Sequence, residues 1–261
     1  MVDLFYFQVA GARLFAAWHP PRRSPSIDAV AVFCSPFGRE IGCAQVLERR
    51  ISEELALRGV GALRFDYFGT GDSEGCSTEA DLDRWLLDVA GAVNEGRQRS
   101  GAHRVCLLGV RLGALVAARY TERDGPVSAF CAIDPISSGP DQISQMEQVE
   151  RQGWADLGIT PDPDAAGLVS VLGMSWTRSF VEDLAGLDID TVHARPAEHV
   201  GVFLDESSGD SSHSWLRAGH RLGGFDRMEL GTQIRPTFYD AMWPPGLTPR
   251  LVSEWLETVV A

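Results

Sequence analysis

The sequence predicts an α/β domain: a doubly wound, mostly parallel sheet with helices on both faces and a helical lid insertion. Three observations lead there. Short, continuous apolar runs at 29–34, 60–65, 105–108, 127–133 and 200–204 look like strands buried on both faces. Segments of helical spacing separate most of them. A polar stretch at 140–196, rich in Gln and Asp, interrupts the alternation once.

Taken in order, residues 4–18 read as two short strands around the turn Ala10-Gly11-Ala12. Prolines at 20, 21 and 25 make the next stretch a loop. The strand 29–34 ends at Ser35-Pro36-Phe37-Gly38. Residues 42–58 follow as a helix, with Val46, Leu47, Ile51, Leu55 and Leu57 at helical spacing and Gly59 as its stop. Strand 60–65 runs into a glycine-rich loop at 66–75. Leu82, Trp85, Leu86, Val89 and Val93 give 78–98 one apolar helical face. Strand 105–108 turns through Gly109-Val110-Arg111-Leu112-Gly113 into a helix ending near Glu122. Strand 127–133 precedes the insertion, which is expected to be helical. Strand 200–204, a helix at 211–221, a short strand at 225–230 and a helix at 247–260 complete the chain. The core is therefore expected at 1–139 and 197–261, with 140–196 as the insertion. Ligands of such sheets bind beyond the carboxyl ends of the strands, so loops 34–39, 66–75, 109–113, 134–139 and 205–212 share one rim.

Composition narrows the function. The chain has 261 residues, 36 acidic and 23 basic, for a formal charge of −13. That argues against nucleic acid and against an anionic membrane surface as partners. Every basic residue is arginine, so lysine imine chemistry is excluded. The five cysteines are odd in number and widely spaced, without a C-x-x-C pair, as expected of free thiols in a reducing cytoplasm. Residues 1–10 show no secretory signal pattern, and no run reaches ~18 apolar residues. Neither metal-ligand spacing nor a dinucleotide fingerprint is present, so no cofactor is expected.

Two local patterns carry a resemblance. Asp66-Tyr67-Phe68-Gly69-Thr70-Gly71-Asp72-Ser73 is similar to the D-x-x-G-x-G-x-S loop of the α/β-hydrolase superfamily. Cys106-Leu-Leu-Gly-Val-Arg-Leu-Gly-Ala sits where that superfamily has its nucleophile elbow, G-x-S-x-G. With Pro36-Phe37-Gly38-Arg39-Glu40, it resembles the serine-aminopeptidase-like hydrolases, including exosortase-associated and biosynthetic-cluster types, over 29–139 and 198–261. The resemblance implies a Ser, Cys or Asp nucleophile between Gly109 and Gly113. Arg111 stands there, and a guanidinium has no lone pair with which to attack a carbonyl. It also implies an acid after strand 200–204, filled by Asp205, and a histidine near Thr237–Asp240. Residues 221–261 contain no histidine. The triad is expected to be degenerate.

Each rim residue carries a functional reading beside a plainer one. Arg111, flanked by Val110 and Leu112 at a helix N-terminus, either grips an acidic substrate group or pairs with Asp205 or Asp134. Cys34 is a displaced thiol nucleophile or a small buried hydrophobe. Asp134 is an alternative acid or base, or a structural carboxylate. Ser35 and Phe37 lie in the loop whose backbone N–H groups would line an oxyanion hole. Asp66 and Asp72 brace their loop. His213 is a base at the rim or a solvated side chain. Tyr239, in the vacated histidine slot, could donate a hydrogen bond to substrate. Trp154, Leu157, Leu168, Leu172, Trp176 and Phe180 form an apolar roof over a ligand, or pack the insertion onto the body. Met242-Trp243-Pro244-Pro245 could mark a contact surface.

Three functions stay open. The first is an enzyme without an acyl-enzyme, doing elimination, cyclisation or epimerisation next to a carbonyl of a small acidic or acyl substrate, in a biosynthetic setting. The second is a hydrolase or thioesterase, acting on an acyl or peptidyl substrate through Cys34 or an Asp-activated water. The third is a binding or scaffolding protein that kept the fold and lost the chemistry.

Overall fold

The computed structural model describes residues 1–38, 40–158, 168–171, 174–204, 209–230 and 247–261. Among the described residues, ten strands form two sheets. The large one has the order β1-β2-β4-β3-β5-β6-β9-β10, and β7-β8 is a separate antiparallel pair. β1 (Asp3–Val9) and β2 (Ala12–His19) are a hairpin whose two turn residues, Ala10 and Gly11, both have positive φ, the twist that a two-residue hairpin turn requires. β2 runs antiparallel to β4 (Gly61–Phe65). From there β3 (Ala29–Cys34), β5 (Arg104–Val110), β6 (Val127–Ile133), β9 (Ala197–Leu204) and β10 (Asp226–Glu229) are parallel.

Alternate strand residues feed two cores, as period-2 geometry demands. Val30, Val32 and Cys34 face α2 (Leu82–Ser100) and α3 (Leu112–Asp124), while Ala29, Ala31 and Phe33 face α1 (Glu40–Arg58) and α7 (Leu247–Val260). Every residue of β3 is buried, which is why the strand reads as an unbroken apolar run. The chain leaves β3 toward β4 on one side and returns to β5 on the other. The strand order therefore reverses between β3 and β5, and a crevice opens at their carboxyl ends.

Between β6 and β9 lie α4 (Gly139–Leu157), β7 (Leu168–Val171), β8 (Met174–Thr177) and α5 (Arg178–Ala185). The expectation of a wholly helical insertion is corrected here, because β7 and β8 form a hairpin pairing Val169 with Trp176. Each strand is four residues long, too short for alternation to stand out from helical spacing. α2 begins at Leu82 rather than at 78. Ser77–Glu79 is a separate 3₁₀ turn, and Asp81 caps the helix by accepting from the Arg84 amide. No helix among the described residues is long and apolar enough to cross a membrane.

Candidate functional site

The sharp turn after β5 sits on the crevice. Arg111 is the residue before α3 and has φ 54° and ψ −123°, a conformation that costs a side-chain-bearing residue energy. Both neighbouring glycines are required by close approach. A Cβ at Gly109 would overlap the backbone of Ala114, and one at Gly113 would overlap the Cys34 carbonyl oxygen. The turn is fixed by the Arg111 amide, which donates to the Ile133 carbonyl (3.1 Å). Asp134, at the same level after β6, also has positive φ (42°), and its amide donates to the Phe203 carbonyl (2.8 Å).

The Arg111 guanidinium spans three elements. Its Nε donates to Glu40 Oε1 (3.2 Å) in the first turn of α1. Its Nη1 donates to Asp134 Oδ2 (3.3 Å), and its Nη2 to Gln145 Oε1 (2.9 Å) on α4 of the insertion. The side chains of Arg111, Glu40 and Asp134 are 16%, 11% and 2% exposed. Burial alone would lower the Arg111 pKa, but the Glu40 and Asp134 carboxylates outweigh it and raise the pKa above its ordinary value. The guanidinium stays charged. A cation is unfavourable at the start of α3, and the two carboxylates offset it. The guanidinium therefore already faces two carboxylates. Glu40 Oε2 is buried and has no hydrogen-bond partner among the described residues.

Of the two acids that the sequence offers as partners of Arg111, Asp134 is in contact. Asp205 lies outside the described residues, as do Tyr239, the Thr237–Asp240 slot, Leu172 and the 242–245 stretch. Glu40 and Gln145 went unassigned in the sequence reading. The signal for Glu40 is the electrostatic demand of a buried guanidinium for counter-charge; Gln145 had none, because the tertiary position of α4 decides it.

The remaining rim residues are placed as follows. Cys34 ends β3 fully buried, and burial pushes its thiol up to about 12, so almost none is thiolate at neutral pH. Ser35 Oγ donates to the buried Glu48 carboxylate (2.8 Å). Phe37 is fully buried among aromatic rings, with Trp176 at 4.7 Å and Trp85 and Phe180 both at 6.2 Å between ring centroids. Trp176 is fully buried as well, so the insertion is joined to the core by direct aromatic packing. Trp154 is half-buried, and Leu157 is 70% exposed. The Val110 and Leu112 side chains face the two cores, leaving their backbone at the rim. Asp66 accepts from the Asp72 amide (2.9 Å) and braces its loop. His213 is exposed on α6 (Gly209–Arg221).

No family model matches this chain, and no curated protein matches it. Solved structures do. A ferulic acid complex of Est1E from Butyrivibrio proteoclasticus aligns at TM-score 0.66 and 18% identity, over 97% of this chain and 96% of its own. The esterase domain of a Rhodothermus marinus protein aligns at 0.65 and 18%, over 99% and 97%. The α/β hydrolase GrgF from Penicillium sp. aligns at 0.66 and 11%, over 99% and 98%.

Proposed function

We propose that this chain, which has the α/β-hydrolase fold, works without acyl-enzyme chemistry, as a binding or scaffolding protein whose elbow has become a fastening point. The observation that carries this reading is the position of Arg111. It occupies the strained tip of the elbow and is bonded to the core through Asp134, to α1 through Glu40 and to the insertion through Gln145. The lack of any histidine in 221–261 supports it from an independent part of the chain. A nucleophilic hydroxyl needs both a lone pair at the tip and a base beside it. Arg111 supplies no lone pair, and the groups bonded to it are two carboxylates and an amide rather than a histidine. Of the two readings of Arg111, internal pairing is favoured over an acidic-substrate grip, because an incoming anion would meet the two carboxylates already on the guanidinium.

The test is turnover of p-nitrophenyl esters. The native chain and Arg111→Ser both hydrolyse them no faster than buffer does, since restoring the hydroxyl does not restore the histidine that would pass its proton to the leaving group. Catalytic hydrolysis by the native chain contradicts the reading.

One observation favours a second reading. Glu40 keeps a buried carboxylate oxygen without a partner, beside a fixed cation. That arrangement suits proton abstraction next to a carbonyl, as elimination or epimerisation requires. Deuterium uptake from solvent into a panel of small oxo acids and their esters, lost in Glu40→Gln, would carry this reading instead.

A further inference from the structure

A second cleft, of about 460 Å³, opens at the other end of the sheet, where the amino ends of β5, β6 and β9 meet the last turns of α2. It lies far from the elbow: the six residues of extended chain from Val105 to Arg111 cover about 20 Å. Its floor is apolar, formed by Pro126, Val127 and Ala197, and its polar walls carry two arginines, Arg97 and Arg195. The Arg195 guanidinium is held by three backbone carbonyls, donating to Ala197 (2.9 Å), Glu198 (2.9 Å) and Gly223 (3.1 Å). These bonds fix its position without neutralising its charge. The Arg97 guanidinium has no hydrogen bond or ion pair among the described residues, although Arg58, Arg84, Arg99 and Arg111 each meet a carboxylate. Ser128 adds a hydroxyl to the wall. The acid in the lining, Glu198, is 79% exposed, with its carboxylate 3.9 Å from His199 rather than on either arginine. One immobilised cation and one unpaired cation over an apolar floor, in a chain of net charge −13, make a local positive field with a hydrophobic base.

We propose that this cleft binds a small molecule with an anionic head, carboxylate or phosphate, and a flat apolar body. Arg97 and the immobilised Arg195 take the head as planar donors, Ser128 adds a hydroxyl donor, and Pro126, Val127 and Ala197 cover the body. The volume falls in the range of small-ligand sites. The proposal is independent of any chemistry at the elbow.

Titration calorimetry with phenyl phosphate, benzoate and inorganic phosphate tests it. Phenyl phosphate or benzoate binds saturably at one site per chain, and which of them binds more tightly identifies the head group. Arg97→Ala weakens binding about tenfold or more, whereas Arg119→Ala, on exposed α3 surface, leaves it unchanged. Added salt weakens it. The Arg97 side chain has no partner among the described residues, so its removal leaves thermal unfolding unchanged and separates loss of binding from loss of fold. Absence of saturable binding of either aryl anion in the millimolar range overturns the proposal. So does binding that Arg97→Ala leaves intact. Inorganic phosphate binding as tightly as phenyl phosphate overturns the role given to the apolar floor.

Discussion

At the scale of single residues, Arg111 combines two costs that can be separated by substitution. Its backbone is strained, and its charge is buried against two acids. Arg111→Met removes the guanidinium that both the Glu40 and the Asp134 carboxylates meet in a largely buried place. The expected loss, read by denaturant unfolding, is about 3–5 kcal/mol. Glu40→Gln and Asp134→Asn each lose less, because each leaves one cation with one carboxylate. Arg111→Gly unfolds at higher denaturant than Arg111→Ala, by about 1 kcal/mol, since glycine adopts φ 54° without strain. Equal stability of the two would mean that the turn is relaxed. Part of this cluster was legible in the sequence. The place of Arg111 follows from glycines that only a sharp turn needs, and Asp134 follows from its position at the end of a buried strand. Glu40 was not legible, because the path of the loop through Gly38 decides whether the first residue of α1 points inward.

At the scale of elements, α1 packs over β2 and β4 through polar groups with opposite pH behaviour. Burial pushes Glu48 up to about 7, against the hydrogen bond from Ser35 and the pull of Arg64. Burial, reinforced by Arg64, Arg22 and Arg49, lowers His19 to about 4, while Arg64 Nε donates to its Nε2 (3.3 Å). Glu48 binds its proton more tightly folded than unfolded, so its contribution is complete below its ordinary value of 4.5 and is lost as pH rises through about 7. His19 has the reverse sign: its contribution is complete above 6.5 and is lost as pH falls through about 4. Glu48→Gln therefore gains stability relative to the native chain as pH rises from 5 to 8 (urea unfolding at about four pH values across that window). A stability difference independent of pH contradicts the assignment. The aromatic join between insertion and core makes a different prediction. Trp176→Ala costs about 3–5 kcal/mol. Trp176→Phe costs far less, because the indole N–H is buried without a partner and its removal leaves nothing unsatisfied. The β7–β8 hairpin that carries Trp176 escaped the sequence reading, since four-residue strands show no period of their own. The long buried runs of β3, β5 and β6 were plain for the opposite reason.

At the scale of the whole molecule, the parallel, doubly wound sheet follows from βα alternation, which the apolar runs and helical spacings already imply, whereas the strand order and its reversal between β3 and β5 come from tertiary pairing. What the molecule does was less legible. A fold shared at under 20% identity with esterases carries no chemistry of its own. The chemistry rests on which atoms stand at the elbow, and here they belong to a guanidinium held on three sides. The most direct measurement is intact mass after prolonged exposure of the native chain to a fluorophosphonate, which captures any activated serine. The mass is expected to stay unchanged. One stoichiometric adduct on a serine, above all on Ser35, whose hydroxyl already donates to Glu48, would contradict the account and return the protein to covalent hydrolysis.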